Sequence, residues 1–335
     1  MDWVNLSDEE LLEQRICDLP LAIKGSELEP CVQALYQELD GKGISFHPSC
    51  YLGDEWFTPE DVPAIAIPFY LAHPRLKKLE YKMMLEVEGE TKEWCMRLLR
   101  HETGHALNHA YLFSREPQWQ NIFGSPTQEL SYIYKPRPYS RNFVIHLDNW
   151  YAQSHPEEDF AETFAVWLTP GFDWRTKYQG WKVFEKLEYV NELMNAICGK
   201  TPLVKSGHQM CNAGKLKSKL RTYYQRRRKF LDQDYPGFYD SDLKQLFSDD
   251  PSFSSREQAS HFMKRFHKVL LGTLSRWTGE KKITVNRLLK ELSQRCDELS
   301  LRVHQEELTT TREMLAYLTT LVIHYRFTGK FKHMV

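Results

Sequence analysis

The hydrophobic and polar positions of the first half of the chain follow two different periods. SFHPSCYL (45–52) and AIAIPFYLA (64–72) have the composition of short β-strands, and FVIHLD (143–148) alternates apolar and polar residues in the same way. Pro63 and Pro68 cannot donate a hydrogen bond to a neighbouring strand, which favours a position at a sheet edge for the second segment. The pattern therefore predicts a small mixed sheet.

Between these segments the apolar positions recur as they do on amphipathic helices. One helix is marked by Leu28, Val32, Leu35 and Leu39. A second helix is predicted from Thr91 to Leu112, with one face formed by Trp94, Leu98, His101, His105 and Asn108. Gly104 lies inside this helix, where glycine costs about 1 kcal/mol relative to alanine. It therefore predicts close packing against another backbone.

Beyond the turn-forming segment TPGFDW (169–174) the pattern is helical throughout. Ser255 and Gln258 resemble a capping box at the start of one such helix. Its apolar stripe would comprise Phe262, Phe266, Val269 and Leu270, and later stripes Leu288, Leu292, Leu299, Leu315, Leu318 and Val322. We therefore predict an α+β protein with one domain over residues 1–175 and a mainly α-helical C-terminal domain over residues 176–335.

Composition narrows the class of protein. The chain has 335 residues, of which 41% are hydrophobic and 27% charged, as in a folded globular protein. Its net charge of -1 creates no global attraction to nucleic acid or to an anionic membrane. No apolar run is long enough to span a bilayer, and the acidic N-terminal segment does not resemble a signal peptide. Seven scattered cysteines without a C-x-x-C pair predict free thiols and a cytoplasmic location.

The segment RHETGHALNHAY (100–111) contains the pattern H-E-x-x-H. His101 and His105 are one helical turn apart, so both imidazoles can bind one ion, and this spacing suits tetrahedral zinc. Glu102 is rotated by about 100° from His101, so its carboxylate can face the open side of the metal and act as a general base. The alternative interpretation is a solvent-exposed helix that contains the same pattern by chance and binds no metal. A third ligand would separate the two interpretations.

His109 is a poor third ligand on geometric grounds. It lies eight residues beyond His101, about 12 Å along the helix axis, too far to share a tetrahedral ion. The longer pattern H-E-x-x-H-x-x-G-x-x-H also fails, because Asn108 and Tyr111 occupy the positions of its glycine and last histidine. We predict a supporting or core role for His109.

The segment SHPEEDFAETFAVWL (154–168) offers better candidates. Pro156 suits the first position of a helix, and Glu158 and Glu162 follow one turn apart on a common face. Aromatic residues on the other faces predict burial, and buried carboxylates are costly unless they are paired. A metal ion and a metal-bound histidine would compensate both carboxylates.

Together, HETGH and EDFAE resemble the gluzincin metallopeptidases. The similarity is strongest to a family of zinc-binding metallopeptidases with a closely related H-P-x-E-D-F-A-E-T-F-A segment, and more distant to anthrax lethal factor. It covers residues 90–168 best. The resemblance implies a zincin-like catalytic domain in which zinc is bound by His101, His105 and Glu158. It further implies that Glu162 orients one of the two histidines through its other ring nitrogen.

The same resemblance draws attention to Tyr151, which precedes Glu158 by the spacing at which lethal factor has a tyrosine. It implies that this phenol stabilises the oxyanion of the tetrahedral intermediate. Packing of Tyr151 at a strand end is the alternative interpretation. His155 is a second candidate for the same task, although it lies only three residues before Glu158.

These observations lead to a zinc-dependent peptidase as the main hypothesis, with Glu102 as general base and a peptide or protein as substrate. The segment 64–72 would bind an extended substrate by edge pairing. One alternative is a zinc-binding module without catalytic activity.

The other alternative is a nucleic-acid-associated protein. The basic stretch KLKSKLRTYYQRRRKF (215–230) would contact phosphates, and Tyr223 or Tyr224 would stack on bases. Several aspartates follow closely, and a run of this kind is usually a solvated helix face. We therefore predict that nucleic acid is the less favoured partner.

Overall fold

The computed structural model describes residues 3–128, 137, 139–229 and 239–328. The chain forms two compact units, one of residues 1–83 and 87–225 and the other of residues 84–86 and 226–335. The division after Gln225 lies well beyond the boundary predicted after residue 175. The described residues are α+β, with many helices and a small sheet.

The strands are β1 (Ser49–Gly53) and β2 (Ala64–Pro68). The α-helices in the first half are α1 (Asp8–Leu12), α2 (Glu29–Gly41), α3 (Pro74–Met84), α4 (Lys92–Tyr111), α5 (Pro117–Phe123) and α6 (Pro156–Leu168). Those in the second half are α7 (Trp174–Lys177), α8 (Phe184–Ile197), α9 (Leu220–Lys229), α10 (Asp240–Leu246), α11 (Ala259–Thr278), α12 (Lys282–Glu298) and α13 (Glu307–Thr328). A 3₁₀ helix at Asp148–Gln153 precedes α6.

The sheet of the described residues is parallel rather than mixed. β1 pairs with β2 from Ser49 opposite Ala64 to Gly53 opposite Pro68, so both strands are shorter than predicted. The predicted strand at 143–148 is wrong. Two of its backbone N–H groups bond to side chains instead of to a neighbouring strand. Ile145 N–H donates to the Tyr178 hydroxyl, and Leu147 N–H donates to the Glu162 carboxylate.

Both faces of β2 are buried, and its outer edge is partly paired. All five of its residues are buried. Ala66 N–H donates to the carbonyl of Phe57 over 2.9 Å, in an antiparallel bridge on the side away from β1. The edge at Ala66 is therefore not free for an extended substrate, and the prediction of substrate pairing there was wrong.

The two amphipathic helices predicted in the first half of the chain are confirmed as α2 and α4. α2 buries Val32, Leu35 and Leu39. α4 begins after Thr91, whose hydroxyl accepts a hydrogen bond from Trp94 N–H over 3.2 Å. It ends at Tyr111 and is followed by Leu112 in the left-handed conformation. The cap satisfies one of the otherwise unpaired N–H groups of the first turn.

α4 and α6 pack closely against each other at Gly104. A Cβ atom at this position would lie only 2.7 Å from Cα of Ala161, so any larger residue would force the two backbones apart. The close packing predicted from Gly104 is confirmed. This approach brings the histidines of α4 next to the carboxylates of α6.

α8 packs against α6, which is one reason why the first unit continues beyond residue 175. Trp167 Nε1 donates to Asn191 Oδ1 over 3.1 Å. Lys186 forms an ion pair with the buried carboxylate of Asp159. These contacts make residues 184–197 part of the same core as α6, although their helical pattern alone suggested the next domain.

The second unit has its own hydrophobic core, formed by α10 to α13. The predicted helical content is confirmed, but Val269 of the expected apolar stripe is 56% exposed. The capping box predicted from Ser255 is wrong: α11 begins at Ala259, and Gln258, its N-cap, makes no side-chain capping bond in this part of the structure. None of the helices in the described ranges combines the length and apolarity needed to cross a membrane.

Candidate metal centre

Three potential metal ligands converge from α4 and α6. His101 and His105 lie one turn apart on α4, and Glu158 lies in the first turn of α6. Nε2 of His101 and Nε2 of His105 are 3.0 and 3.1 Å from Oε2 of Glu158, and the two nitrogens are 3.2 Å apart. The structure thus brings all three predicted ligands together in a group that could hold a metal ion.

The spacing of these atoms can be compared with the geometry of zinc. Tetrahedral zinc with bonds of about 2.0–2.1 Å separates its ligand atoms by about 3.3 Å. The three separations of 3.0, 3.1 and 3.2 Å are close to this value. Two imidazole nitrogens with one carboxylate oxygen are also a common ligand set of catalytic zinc. The residues therefore fit a zinc ion.

Glu162 holds one of the imidazoles in place. Its Oε1 lies 2.8 Å from Nδ1 of His101, and its Oε2 accepts a hydrogen bond from Leu147 N–H over 2.8 Å. Because Nδ1–H donates to the carboxylate, Nε2 of His101 retains its lone pair for a metal. The resemblance left open which histidine Glu162 contacts, and the structure places it against His101.

The charges of the group favour a bound cation. Burial raises the pKa of Glu158, but the neighbouring imidazoles His105 and His101 outweigh it and hold that pKa well below its usual value. Burial lowers the pKa of His101, yet the carboxylates of Glu158 and Glu162 raise it above its ordinary value. A divalent cation needs Glu158 ionised and both ligand nitrogens unprotonated, so its binding would release any proton that these nitrogens carry.

Glu102 lies beside the ligands without belonging to them. Its side chain is buried, and the Thr58 hydroxyl lies 3.0 Å from its Oε2 and 3.0 Å from its carbonyl oxygen. Burial raises the pKa of Glu102, and the neighbouring imidazoles of His101 and His105 partly offset this effect. A carboxylate with a raised pKa next to a metal group is suited to accept a proton.

The two residues predicted for oxyanion stabilisation differ in their surroundings. Tyr151 lies on the 3₁₀ helix before α6, half-buried, with its ring centroid 5.6 Å from that of His101. His155 is the N-cap of α6: Nδ1 accepts a hydrogen bond from Glu157 N–H over 3.2 Å, and Nε2 contacts the carbonyl of Gln128 at 2.9 Å. Both ring nitrogens of His155 are thus engaged, which weighs against a role for His155 in oxyanion stabilisation.

His109 stands apart from the ligand group of the described residues. It is partly buried on the last turn of α4. Burial lowers its pKa to about 4, and the charge of His105 acts in the same direction. The geometric argument against a ligand role for His109 is therefore consistent with its position.

Two contacts of the site had no signal in the sequence. Thr58 precedes Glu102 by 44 residues and belongs to no motif. Asn108 donates to Oε1 of Glu157 over 3.2 Å and accepts from Ser114 N–H over 2.8 Å, so it ties the end of α4 to α6. Long-range contacts of single polar residues become visible only in the folded chain.

The basic stretch 215–230 does not present its tyrosines to solvent. Tyr224 is fully buried, and the hydroxyl of Tyr223, also buried, donates to the carbonyl of Asp54 over 2.9 Å. Arg221 forms ion pairs with Glu9 and Glu13. The last residue of the stretch, 230, lies outside the described ranges. The predicted stacking of these tyrosines on bases is therefore wrong.

Comparison with models of known protein families, with curated proteins and with solved structures finds no match to this chain. The side chains around His101, His105 and Glu158 are therefore the basis for a functional proposal.

Proposed function

We propose that this chain is a zinc-dependent peptidase of the gluzincin type with a zincin-like catalytic unit. One observation carries the proposal: donor atoms of His101, His105 and Glu158 converge within 3.0–3.2 Å, and the buried carboxylate of Glu102 lies beside them. The resemblance of HETGH and EDFAE to that class supports the same conclusion. The substrate would be a peptide or a protein.

In this proposal the two imidazoles and Glu158 hold zinc, and Glu162 fixes the ring of His101 through their 2.8 Å contact. Zinc, when bound, would polarise a peptide carbonyl and lower the pKa of water to about 7. Glu158 contributes its negative charge to the ligand set, since its low pKa keeps it ionised. The site would therefore require a divalent cation for activity.

Glu102 would act as the general base. It accepts a proton from the attacking water and later donates it to the leaving amine, so one carboxylate serves both steps. The raised pKa of Glu102 brings its proton affinity closer to that needed near neutral pH. The phenol of Tyr151, near His101, would donate a hydrogen bond to the carbonyl oxygen as negative charge develops there.

Exchange of the base tests the catalytic part of the proposal. Glu102→Gln keeps the shape of the side chain but cannot accept the proton, so cleavage of a random peptide library should fall by a factor of about 10² to 10⁴. Zinc content, measured by atomic emission, should stay at the wild-type value. Full cleavage by the Glu102→Gln variant would refute the assignment.

A pair of adjacent glutamates tests the metal part. Glu158→Ala should lose stoichiometric zinc, whereas Glu157→Ala, which removes a carboxylate bonded to Asn108, should keep it. Zinc retained by the Glu158→Ala variant would overturn the ligand set. Stoichiometric zinc in the wild type without any cleavage that depends on Glu102 would instead indicate a zinc-binding module without catalytic activity.

A further inference from the structure

The connection between β1 and β2 brings a hydroxyl group to the base. Thr58 lies in this connection, and its Oγ1 is 3.0 Å from Oε2 of Glu102 and 3.0 Å from the main-chain carbonyl of the same residue. Thr58 is partly buried and Glu102 is buried. A hydroxyl has one proton, so it donates to one of these acceptors at a time.

The segment that carries Thr58 is fixed on several sides. Phe57, its neighbour, pairs with Ala66 of β2. Trp56 Nε1 donates to the carbonyl of Glu88 over 3.4 Å, and the carbonyl of Asp54 accepts from the Tyr223 hydroxyl over 2.9 Å. Because the backbone is held on the strand side, the hydroxyl of Thr58 is presented to α4 at a defined point.

We propose that Thr58 is a positioning residue for Glu102, an inference that rests on the proposed peptidase function. Its hydroxyl binds Oε2 and so fixes the rotation of the carboxylate. Threonine suits this role because its branched Cβ restricts χ1 and limits the directions in which the hydroxyl can point. The zinc ligands themselves do not depend on this contact.

Two substitutions separate the hydroxyl from the rest of the side chain. Thr58→Val keeps the shape and removes the hydrogen bond, and it should lower kcat by about 10- to 100-fold, as loss of supporting hydrogen bonds commonly does. KM, zinc content and the thermal melting curve should not change. Thr58→Ser restores the hydroxyl and should recover most of kcat.

A binding measurement gives a second readout that needs no turnover. Acetohydroxamic acid chelates zinc with loss of a proton, which a neighbouring base accepts, so its affinity reports on the position of Glu102. By calorimetry on the zinc-loaded protein, Thr58→Val should weaken this affinity about tenfold, and Thr58→Ser should leave it close to wild type. Glu102→Gln provides the limiting value.

Thr103→Val is the matched control, because the buried hydroxyl of Thr103 donates to the carbonyl of Leu99 on its own helix and, within the described residues, to no group of the candidate site. It should change neither kcat nor the affinity for acetohydroxamate. If Glu102→Gln abolishes cleavage while Thr58→Val behaves as wild type, the peptidase stands and the positioning role falls. Equal losses in Thr58→Ser and Thr58→Val, or loss of zinc from Thr58→Val, would also overturn it. Undiminished cleavage by Glu102→Gln would instead reject the peptidase itself.

Discussion

Nδ1 of His101 lies 2.8 Å from Oε1 of Glu162, and this carboxylate also accepts the N–H of Leu147 through its second oxygen. The buried side chain of Glu162 thus connects α6, on which it lies, to α4 and to the segment before the 3₁₀ helix. The arrangement places the Nδ1 proton of His101 on the carboxylate and directs Nε2 toward Glu158 and His105.

Removal of this carboxylate should weaken metal binding. Glu162→Ala leaves the ring of His101 free to rotate and removes the acceptor of the Leu147 N–H. The dissociation constant for zinc should therefore rise by about 10- to 100-fold. Competition with a chromophoric chelator measures it. Glu185→Ala, which removes an exposed carboxylate of α8, is the control. Equal affinities in the two variants would show that Glu162 does not support the metal.

The contact of α4 with α6 depends on the absence of a side chain at Gly104. Gly104→Ala places a Cβ at 2.7 Å from Cα of Ala161, and the resulting overpacking should cost about 1–3 kcal/mol of unfolding free energy. The separation of the helices should also reduce zinc affinity. Chemical denaturation and zinc titration test both effects.

Gly272 provides the matched control, because it lies in the middle of α11 with open space where a Cβ would stand. Gly272→Ala should stabilise the protein by about 0.5–1 kcal/mol, since alanine is the better helix former. A Gly104→Ala variant that gained stability in the same way would contradict the close packing of the two helices.

In the ion pair of Asp159 and Lys186 the carboxylate is buried and the lysine is partly buried. Oδ1 of Asp159 lacks a hydrogen-bond partner among the described atoms, so the carboxylate relies on this lysine. Burial raises the pKa of Asp159 to about 7 even though Lys186 lowers it. In Lys186→Met the carboxyl group would therefore be protonated at neutral pH and would lack its hydrogen-bond partner, and the unfolding free energy should fall by about 1–3 kcal/mol. Lys182→Met, at an exposed lysine nearby, should have little effect in the same thermal denaturation. Similar losses in both variants would show that the pair is not specifically required.

The pH dependence of stability should reflect His109. Its pKa is lowered to about 4 in the folded chain, compared with the ordinary value of 6.5. Below pH 6.5 the unfolded chain therefore binds a proton that the folded chain does not, and the unfolding free energy falls until the pH reaches about 4. Above pH 6.5 His109 is neutral in both the folded and the unfolded chain, so its contribution to the unfolding free energy is no longer reduced.

His109→Gln removes this titration, so the loss of stability between pH 6.5 and 4 should be smaller than in wild type, by up to about 3 kcal/mol. Denaturant unfolding at a series of pH values measures the difference. His208→Gln, at an exposed histidine, should leave the wild-type profile unchanged. A profile of the His109→Gln variant that is parallel to wild type throughout would disprove the assignment.

Local spacing in the sequence determined much of the candidate site. A period of 3.6 residues is a property of the helix alone, so the bounds of α4 and the convergence of His101 and His105 followed from the letters. The spacing of Glu158 and Glu162, one helical turn apart on α6, followed from the sequence for the same reason. Burial of Glu162 also followed, since aromatic residues occupy the other faces of α6, whereas Glu158 is only partly buried.

Only the tertiary structure decided how distant segments meet. Glu162 contacts His101 across 61 residues because α4 and α6 approach closely at Gly104, and no local pattern specifies that crossing. The segment 143–148 alternates like a strand, yet its N–H groups bond to Tyr178 and Glu162, because side chains supplied the partners that a strand would have found in a sheet. Periodicity determines which residues share a face; long-range packing determines what that face contacts.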